Sequence, residues 1–282
     1  MNAKEYVGAG RLEEALASLQ SEVRSNPADP KLRTFLFQLL CLRGAWERAM
    51  TQLKVLADMT AETRMMAQVF EPMLGCEVLR AEIFAGKRTP ILFGEPLDWM
   101  GPLVQANGLA GQGKFVAAQA LRDQAFEAAP ATSGKIMPHP RSGDAPARAG
   151  EEPTQDFAWI ADADPRLGPV LEAIVEGRYY WVPFCRIQRI VLEAPTDLRD
   201  LVWTPAQFVW TNGGEAAGHI PTRYPGTETA PDGQLNLARR TEWLEREGGY
   251  SLGMGQRLLA TDAAEFPLLE CREIVIAPVA AG

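Results

Sequence analysis

One offset governs the first half of this 282-residue chain. Gly10-Arg11-Leu12-Glu13-Glu14-Ala15 lines up with Gly44-Ala45-Trp46-Glu47-Arg48-Ala49, and Leu19 lines up with Leu53. Each pair is 34 residues apart (44 − 10 = 34). Self-similarity at that spacing means a helix-turn-helix unit that cannot bury its apolar face without a stacked neighbour. The glycine ends the first helix, a large apolar residue packs the turn, and the alanine lies where the paired helices approach closely.

The period is that of tetratricopeptide repeats. Ala15, Leu16, Leu19 and Val23 form an apolar face at helical spacing, and Pro27 and Pro30 close the first unit. Leu32 to Leu42 then reads as the next first helix, with Leu36, Leu39 and Leu40 inward. A weaker third copy, Gly113-Lys114-Phe115 with Ala118, follows Gly44, Trp46 and Ala49 by 69 residues (113 − 44 = 69). Helical stretches from Met65 to Phe84, despite Pro72 and Gly75, and from Leu97 to Leu109 lie between. Residues 1–130 are therefore expected to form a tetratricopeptide-like helical repeat domain of about six or seven helices.

Gly108-Leu109-Ala110-Gly111-Gln112-Gly113-Lys114 imitates a phosphate-binding loop. Phe115 stands where that loop needs a Ser or Thr hydroxyl for magnesium, and helix rather than strand precedes it. The repeat register already explains Gly113 and Phe115, so the nucleotide reading is rejected.

Residues 131–154 hold Pro138, Pro140, Pro146, Pro153, Gly134, Gly143 and Gly150 and no aromatic residue, and read as a linker with His139 solvated. Residues 155–282 change texture. Phe157–Ile160, Tyr179–Phe184, Arg186–Leu192, Val202-Trp203, Gln207–Trp210 and Glu270–Ile276 are short, aromatic and β-branched, with a turn at Asn212-Gly213-Gly214. One helix is expected from Leu167 to Glu176, stopped by Gly177. The fold class is helical repeats followed by a mixed, mostly antiparallel α+β domain.

Charge divides unevenly between the halves. Residues 1–150 carry 17 basic and 16 acidic groups; residues 151–282 carry 11 and 20 (28 − 17 and 36 − 16), with arginine as their only strong base. A net charge of −8 disfavours nucleic acid, whose phosphates need clustered Lys and Arg. No apolar run is long enough for a membrane span, and the N-terminal residues lack a secretory apolar stretch, so a cytoplasmic location is expected. Four scattered cysteines and two histidines argue against zinc, and no cofactor is expected.

Five strings in order carry a resemblance: Phe157-Ala158-Trp159-Ile160-Ala161-Asp162-Ala163-Asp164-Pro165-Arg166-Leu167-Gly168-Pro169; Gly177-Arg178-Tyr179-Tyr180-Trp181-Val182-Pro183; Leu198-Arg199-Asp200-Leu201-Val202-Trp203; Ile220-Pro221-Thr222-Arg223-Tyr224-Pro225-Gly226; and Ala238-Arg239-Arg240-Thr241-Glu242-Trp243. Together with the repeats before them, they resemble the ImpE/TagJ (SciE-type) family of type VI secretion accessory proteins. The resemblance implies a cytoplasmic, non-enzymatic adaptor. Its partners would be the small sheath subunit and the AAA+ ATPase that disassembles the contracted sheath. No catalytic residue carries over, because the family has no established activity.

Asp162-Ala163-Asp164 is the most enzyme-like feature. Two carboxylates two residues apart could hold Mg²⁺ or Mn²⁺. Alternatively, one caps a helix from Pro165 to Glu176 and the other pairs with an arginine, the reading we favour. Asp162, Asp164, Arg166, Arg178, Arg199, Asp200, Arg223 and Arg239 thus form the candidate polar pocket, and a ligand-sensing or metal-dependent domain is the alternative function. His219 reads as a core or rim histidine, Trp46 and Trp99 as packing, and Gly253-Met254-Gly255-Gln256-Arg257 as a turn before a strand. A helix-binding groove on the repeats would draw on Leu36, Phe37, Leu40, Leu53 and Leu56.

Overall fold

The computed structural model describes residues 1–138 and 154–278. His139, Pro140, Gly143, Pro146, Gly150 and Pro153 of the expected linker lie outside the described residues. Helices α1 (Ala3–Gly8), α2 (Leu12–Ser25), α3 (Pro30–Leu42), α4 (Trp46–Ala57) and α5 (Ala61–Phe84) come first, and α6 (Met100–Gly111) and α7 (Phe115–Ala128) follow. Three of them start on side-chain caps. Asn2 accepts from the Glu5 N–H, Asp29 from those of Lys31 and Leu32, and Thr60 from that of Thr63.

Gly10, Gly44 and Gly113 all take left-handed φ values, +77°, +62° and +76°, at the turns α1–α2, α3–α4 and α6–α7. That conformation is cheap only for glycine, which is why the repeat shows through it. Ala15, Ala49 and Ala118, five residues on from each, are fully buried between paired helices. Pro72 sits on the exposed side of α5, and the helix runs on through it for 24 residues.

The second part is built on strands β1 (Ile91–Leu92), β2 (Gly134–Pro138), β3 (Gln155–Phe157), β4 (Ile160–Asp162), β5 (Val170–Val175), β6 (Arg178–Pro183), β7 (Ile187–Leu192), β8 (Trp203–Trp210), β9 (Glu215–Pro221), β10 (Thr241–Arg246), β11 (Tyr250–Gly255), β12 (Leu258–Thr261), β13 (Glu265–Pro267) and β14 (Cys271–Ile276), with a short helix α8 (Gly233–Asn236). Nine strands form one sheet in the order β1-β6-β5-β9-β8-β7-β14-β2-β3. Its pairings are antiparallel except β1 with β6. β10–β11 and β13-β12-β4 make two small sheets.

Three sequence expectations change here. Residues 170–175 are β5, not part of a helix from Leu167 to Glu176. All six are buried, so the strand lacks the alternation that betrays a half-wet strand, and such a run cannot be told from a buried helix by period. Gly177 closes no helix; with Glu176 it makes the tight turn between β5 and β6, both at positive φ. Residues 134–138, read within the linker, form β2 and bury Ile136. Gly253 and Gly255 belong to β11, where Gly253 passes so close under the Tyr224 ring that a Cβ would lie 2.3 Å from it.

Alternation along the strands sorts the sheet into two faces. Val170, Ile174, Tyr179, Trp181 and Trp203 turn toward the helices and share one core with Phe37, Phe70 and Phe84. Leu171, Ala173, Val182, Ile190 and Phe208 pack in a second core on the opposite face. Trp203 joins the layers: its ring lies 5.7 Å from Phe70 and 6.1 Å from Trp46, and Phe70 lies 6.0 Å from Phe37. Helices and sheet therefore stabilise each other through one apolar mass. Trp203→Ala should cost about 3–5 kcal/mol and lower a single cooperative urea transition followed by far-UV circular dichroism.

Candidate functional site

The centre of the molecule is ionic. Glu172 on β5, fully buried, points at the helices between two arginines. Arg80 of α5 donates to it through Nε at 2.6 Å and a second nitrogen at 2.9 Å, and Arg257 donates from the other side. Tyr179 Oη donates at 2.5 Å and itself accepts from Trp181 Nε1 at 2.8 Å. Arg80 also reaches Glu77 at 3.4 Å, whose carboxylate accepts from Trp203 Nε1 at 2.9 Å. Arg257 continues the chain to Asp162 and donates to the Pro221 carbonyl.

These surroundings set the protonation. Burial alone would raise Glu172, but the Arg80 and Arg257 guanidiniums outweigh it and hold the carboxyl at about 2. Asp162 has Arg257 on one side and Asp164 on the other, and there burial dominates and lifts it to about 7. Burial likewise raises Glu77.

The eight sequence-chosen residues do not meet in one pocket. Asp162, Asp164 and Arg166 lie together and are buried. Asp164 caps no helix: it accepts from Arg166 Nε at 2.9 Å, from the Arg166 second nitrogen at 2.5 Å and from the Gly253 N–H at 2.8 Å. Among the described residues no group of three or more His, Cys, Asp or Glu is placed to hold a metal ion. Arg178 is exposed on β6. Arg223 donates to the Leu42 carbonyl at 2.8 Å, and Arg239 to the Gly8 carbonyl at 2.8 Å. Gly8 and Leu42 are themselves 34 residues apart (42 − 8), so two arginines of the sheet half cap equivalent helix C-termini in successive repeats.

Arg199 and Asp200 shape something different. Asp200 accepts from the Thr196 and Asp197 N–H groups at 2.6 and 3.1 Å, and Arg199 pairs with Asp197 and lies 4.8 Å over the Phe70 ring. They fix the loop at residues 195–201 as one wall of a groove of about 1230 Å³. The other wall is α1 along its length and the N-terminal parts of α3 and α5. Leu32, Phe35, Leu198 and Leu201 give the groove half-buried apolar side chains, and Lys4, Lys31 and Glu62 stand exposed on it. The apolar set chosen from the sequence does not supply it: Leu36, Phe37, Leu40, Leu53 and Leu56 are all buried in the core. Leu32 is one turn before Leu36 on α3 and Phe35 is the residue next to Leu36, so both were within reach of the helical pattern. Leu198 and Leu201 needed the loop's tertiary position.

The imitation phosphate loop is the end of α6, from Gly108 to Gly111, and the turn at Gly113, with Phe115 opening α7 against Tyr250 at 5.7 Å. His219 is half-buried with its ring 6.0 Å from Phe70, and burial pushes its pKa down.

With this geometry in place, comparison with known proteins is specific. Residues 154–275 match the ImpE protein family. The chain is 47% identical over 278 residues to the type VI secretion system accessory component TagJ of Pseudomonas aeruginosa, covering 99% of this chain and 92% of that protein. The crystal structure of protein VPA1032 from Vibrio parahaemolyticus superposes with a TM-score of 0.83 at 23% identity, over 98% of this chain and 97% of that one, and shares the fold. The chain belongs to the ImpE family of TagJ-type proteins.

Two outcomes test the ionic centre. Arg80→Ala leaves Glu172 and Glu77 short of a buried partner and should cost about 3–5 kcal/mol in urea unfolding. Asp162 keeps its proton in the folded chain up to about pH 7, but only to its ordinary 3.8 when unfolded. Folding therefore binds a proton between those values, and this contribution falls as pH rises through the window. The stability of the wild type relative to Asp162→Asn should decline by a few kcal/mol, on the order of one per pH unit, between about pH 4 and 7. A difference that stays flat across that range would refute the assignment.

Proposed function

We propose that this chain is a non-enzymatic accessory protein of a type VI secretion system that holds an amphipathic helix of the small sheath subunit in the groove between α1, α3, α5 and the loop at residues 195–201. The observation that carries the reading is an open groove bearing half-buried Leu32, Phe35, Leu198 and Leu201 on a helical-repeat scaffold. A helix presents apolar anchors at three- and four-residue spacing, and a groove of about 1230 Å³ has room for several such side chains. The TagJ relative is itself a secretion accessory component, which supplies the system. Presentation of the bound subunit to the AAA+ sheath-disassembly ATPase, in the cytoplasm, completes the reading. The absence of a helix long and apolar enough to cross a membrane among the described residues is compatible with it.

A ligand-sensing or metal-dependent role for Asp162 and Asp164 finds less support. Their oxygens already serve Arg257, Arg166 and backbone N–H groups, and both residues are buried. In the wider candidate pocket Arg166 and Arg199 are read as fixed pairs and Arg223 and Arg239 as helix caps, while Arg178 stands exposed.

The test is retention of the purified small sheath subunit by this chain. Wild type should hold it at micromolar concentrations, and Phe35→Asp or Leu198→Asp should weaken binding at least about tenfold while the far-UV spectrum is unchanged. If neither sheath subunit nor ATPase is retained by the wild type, the reading fails.

A further inference from the structure

A second hollow opens beside the groove. It holds about 520 Å³ between Val69 and Pro72 of α5 and Ile174 and His219 of the sheet, with Glu176 and Glu193 exposed at its rim. The strip of α5 between groove and hollow is apolar and uncovered. Met65 is 69% exposed and Val69 48%, and Pro72 is exposed too. At about 100° per residue these three positions fall within roughly 60° of one helix face. Residues 60–63 line the groove and residues 68, 69, 72 and 73 line the hollow. The strip thus joins them over about 15 Å, ten residues or so at 1.5 Å each.

Beyond Pro72 the strip is closed by the β5–β6 turn. Cys76 Sγ donates to the Gly177 carbonyl at 3.4 Å, and a Cβ on Gly177 would stand 2.9 Å from the Pro72 ring. Glu176 sits on that turn at φ 49°, a left-handed conformation that favours glycine. Among the described residues no ion pair is formed by Glu176 or Glu193. The two parts of the channel therefore differ in charge: the groove lining mixes Lys4 and Lys31 with Glu62 and Asp197, whereas the hollow carries Glu176 and Glu193 and no Lys or Arg.

We propose that the docking face does not stop at the groove: it follows Met65, Val69 and Pro72 into the second hollow, and the docked segment carries Lys or Arg on its edges where it meets Glu176 and Glu193. This rests on the reading that the groove takes an amphipathic helix. Apolar contact along α5 supplies area, and the two carboxylates supply register and steer the encounter. An exposed glutamate kept in a backbone conformation that costs it stability is accounted for if its charge is what the turn presents.

The probes are two synthetic amphipathic peptides of about 20 residues, long enough to span about 30 Å as helices. They share one apolar face and differ only at the edges of one half, lysine in one peptide and glutamine in the other. The lysine peptide should bind wild type about three- to tenfold more tightly at low salt, with the gap closing at high salt. Glu176→Lys with Glu193→Lys should abolish the preference. Glu176→Gly should raise the melting temperature and still weaken the lysine peptide, which separates lost charge from lost fold. Equal affinity for the two peptides, an unchanged preference in the double variant, or binding of neither overturns the inference. If Phe35→Asp abolishes binding and Val69→Ser leaves it untouched, the occupant ends at the groove and only the extension is wrong. Retention of the sheath subunit, measured separately, reports on the groove reading alone.

Discussion

Glu172 is the residue on which the arrangement of helices and sheet depends. A carboxylate buried without compensation would take up a proton, yet here two guanidiniums and a tyrosine hydroxyl keep it ionised. One of those guanidiniums comes from α5 and the other from the segment between β11 and β12. The charge can be satisfied only when all three elements are in place. Trp203 and Glu77 add a matched apolar and polar contact beside it. Burying such a network adds little net stability compared with an apolar core of the same shape. What it adds is that a displaced packing of the sheet on the helices would strand charges, which is a reason for one geometry rather than several.

The same need explains why arginine holds the seam between the halves. Arg80, Arg223 and Arg257 each serve two or more acceptors at fixed angles, which a planar fork does and a single ammonium does not. The one lysine within the described strands, Lys135 on β2, is exposed and faces Asp156 on the paired edge strand β3. Arg223 and Arg239 meet the carbonyls of Leu42 and Gly8, so the helical repeat reappears as a repeat in how the other half grips it.

Legibility in the sequence followed how local each cause was. The turns at Gly10, Gly44 and Gly113 were visible because a left-handed residue and a close helix pair leave a mark at one position each. The hairpin at Asn212-Gly213-Gly214 was visible for the same reason. β5 was not, since burial on both faces erased its alternation. Asp162 and Asp164 stood out as a pair, but their partners Arg257 and Gly253 are 95 and 89 residues away, and Arg257 lay in a string that looked like a turn. Glu77, Arg80 and Glu172 drew no notice at all. Their importance comes from burial that only the packed sheet creates.

The position of the groove follows from this packing. A free tetratricopeptide array offers the surface of its first helices along its whole length. In this chain Trp181 and Trp203 of the sheet already occupy the middle of that surface, against Phe70 and Phe84. What remains open lies along α1 and toward the N-terminal parts of α3 and α5, and its second wall is a loop of the sheet half held by Asp200 and Arg199. The groove is therefore a joint product of both halves. Its width is set by how the sheet seats on α5, and that seating is fixed by Arg80, Glu172 and Arg257. The ionic centre contributes no residue to the groove lining, and it bears on the groove only through the seating of the sheet on α5.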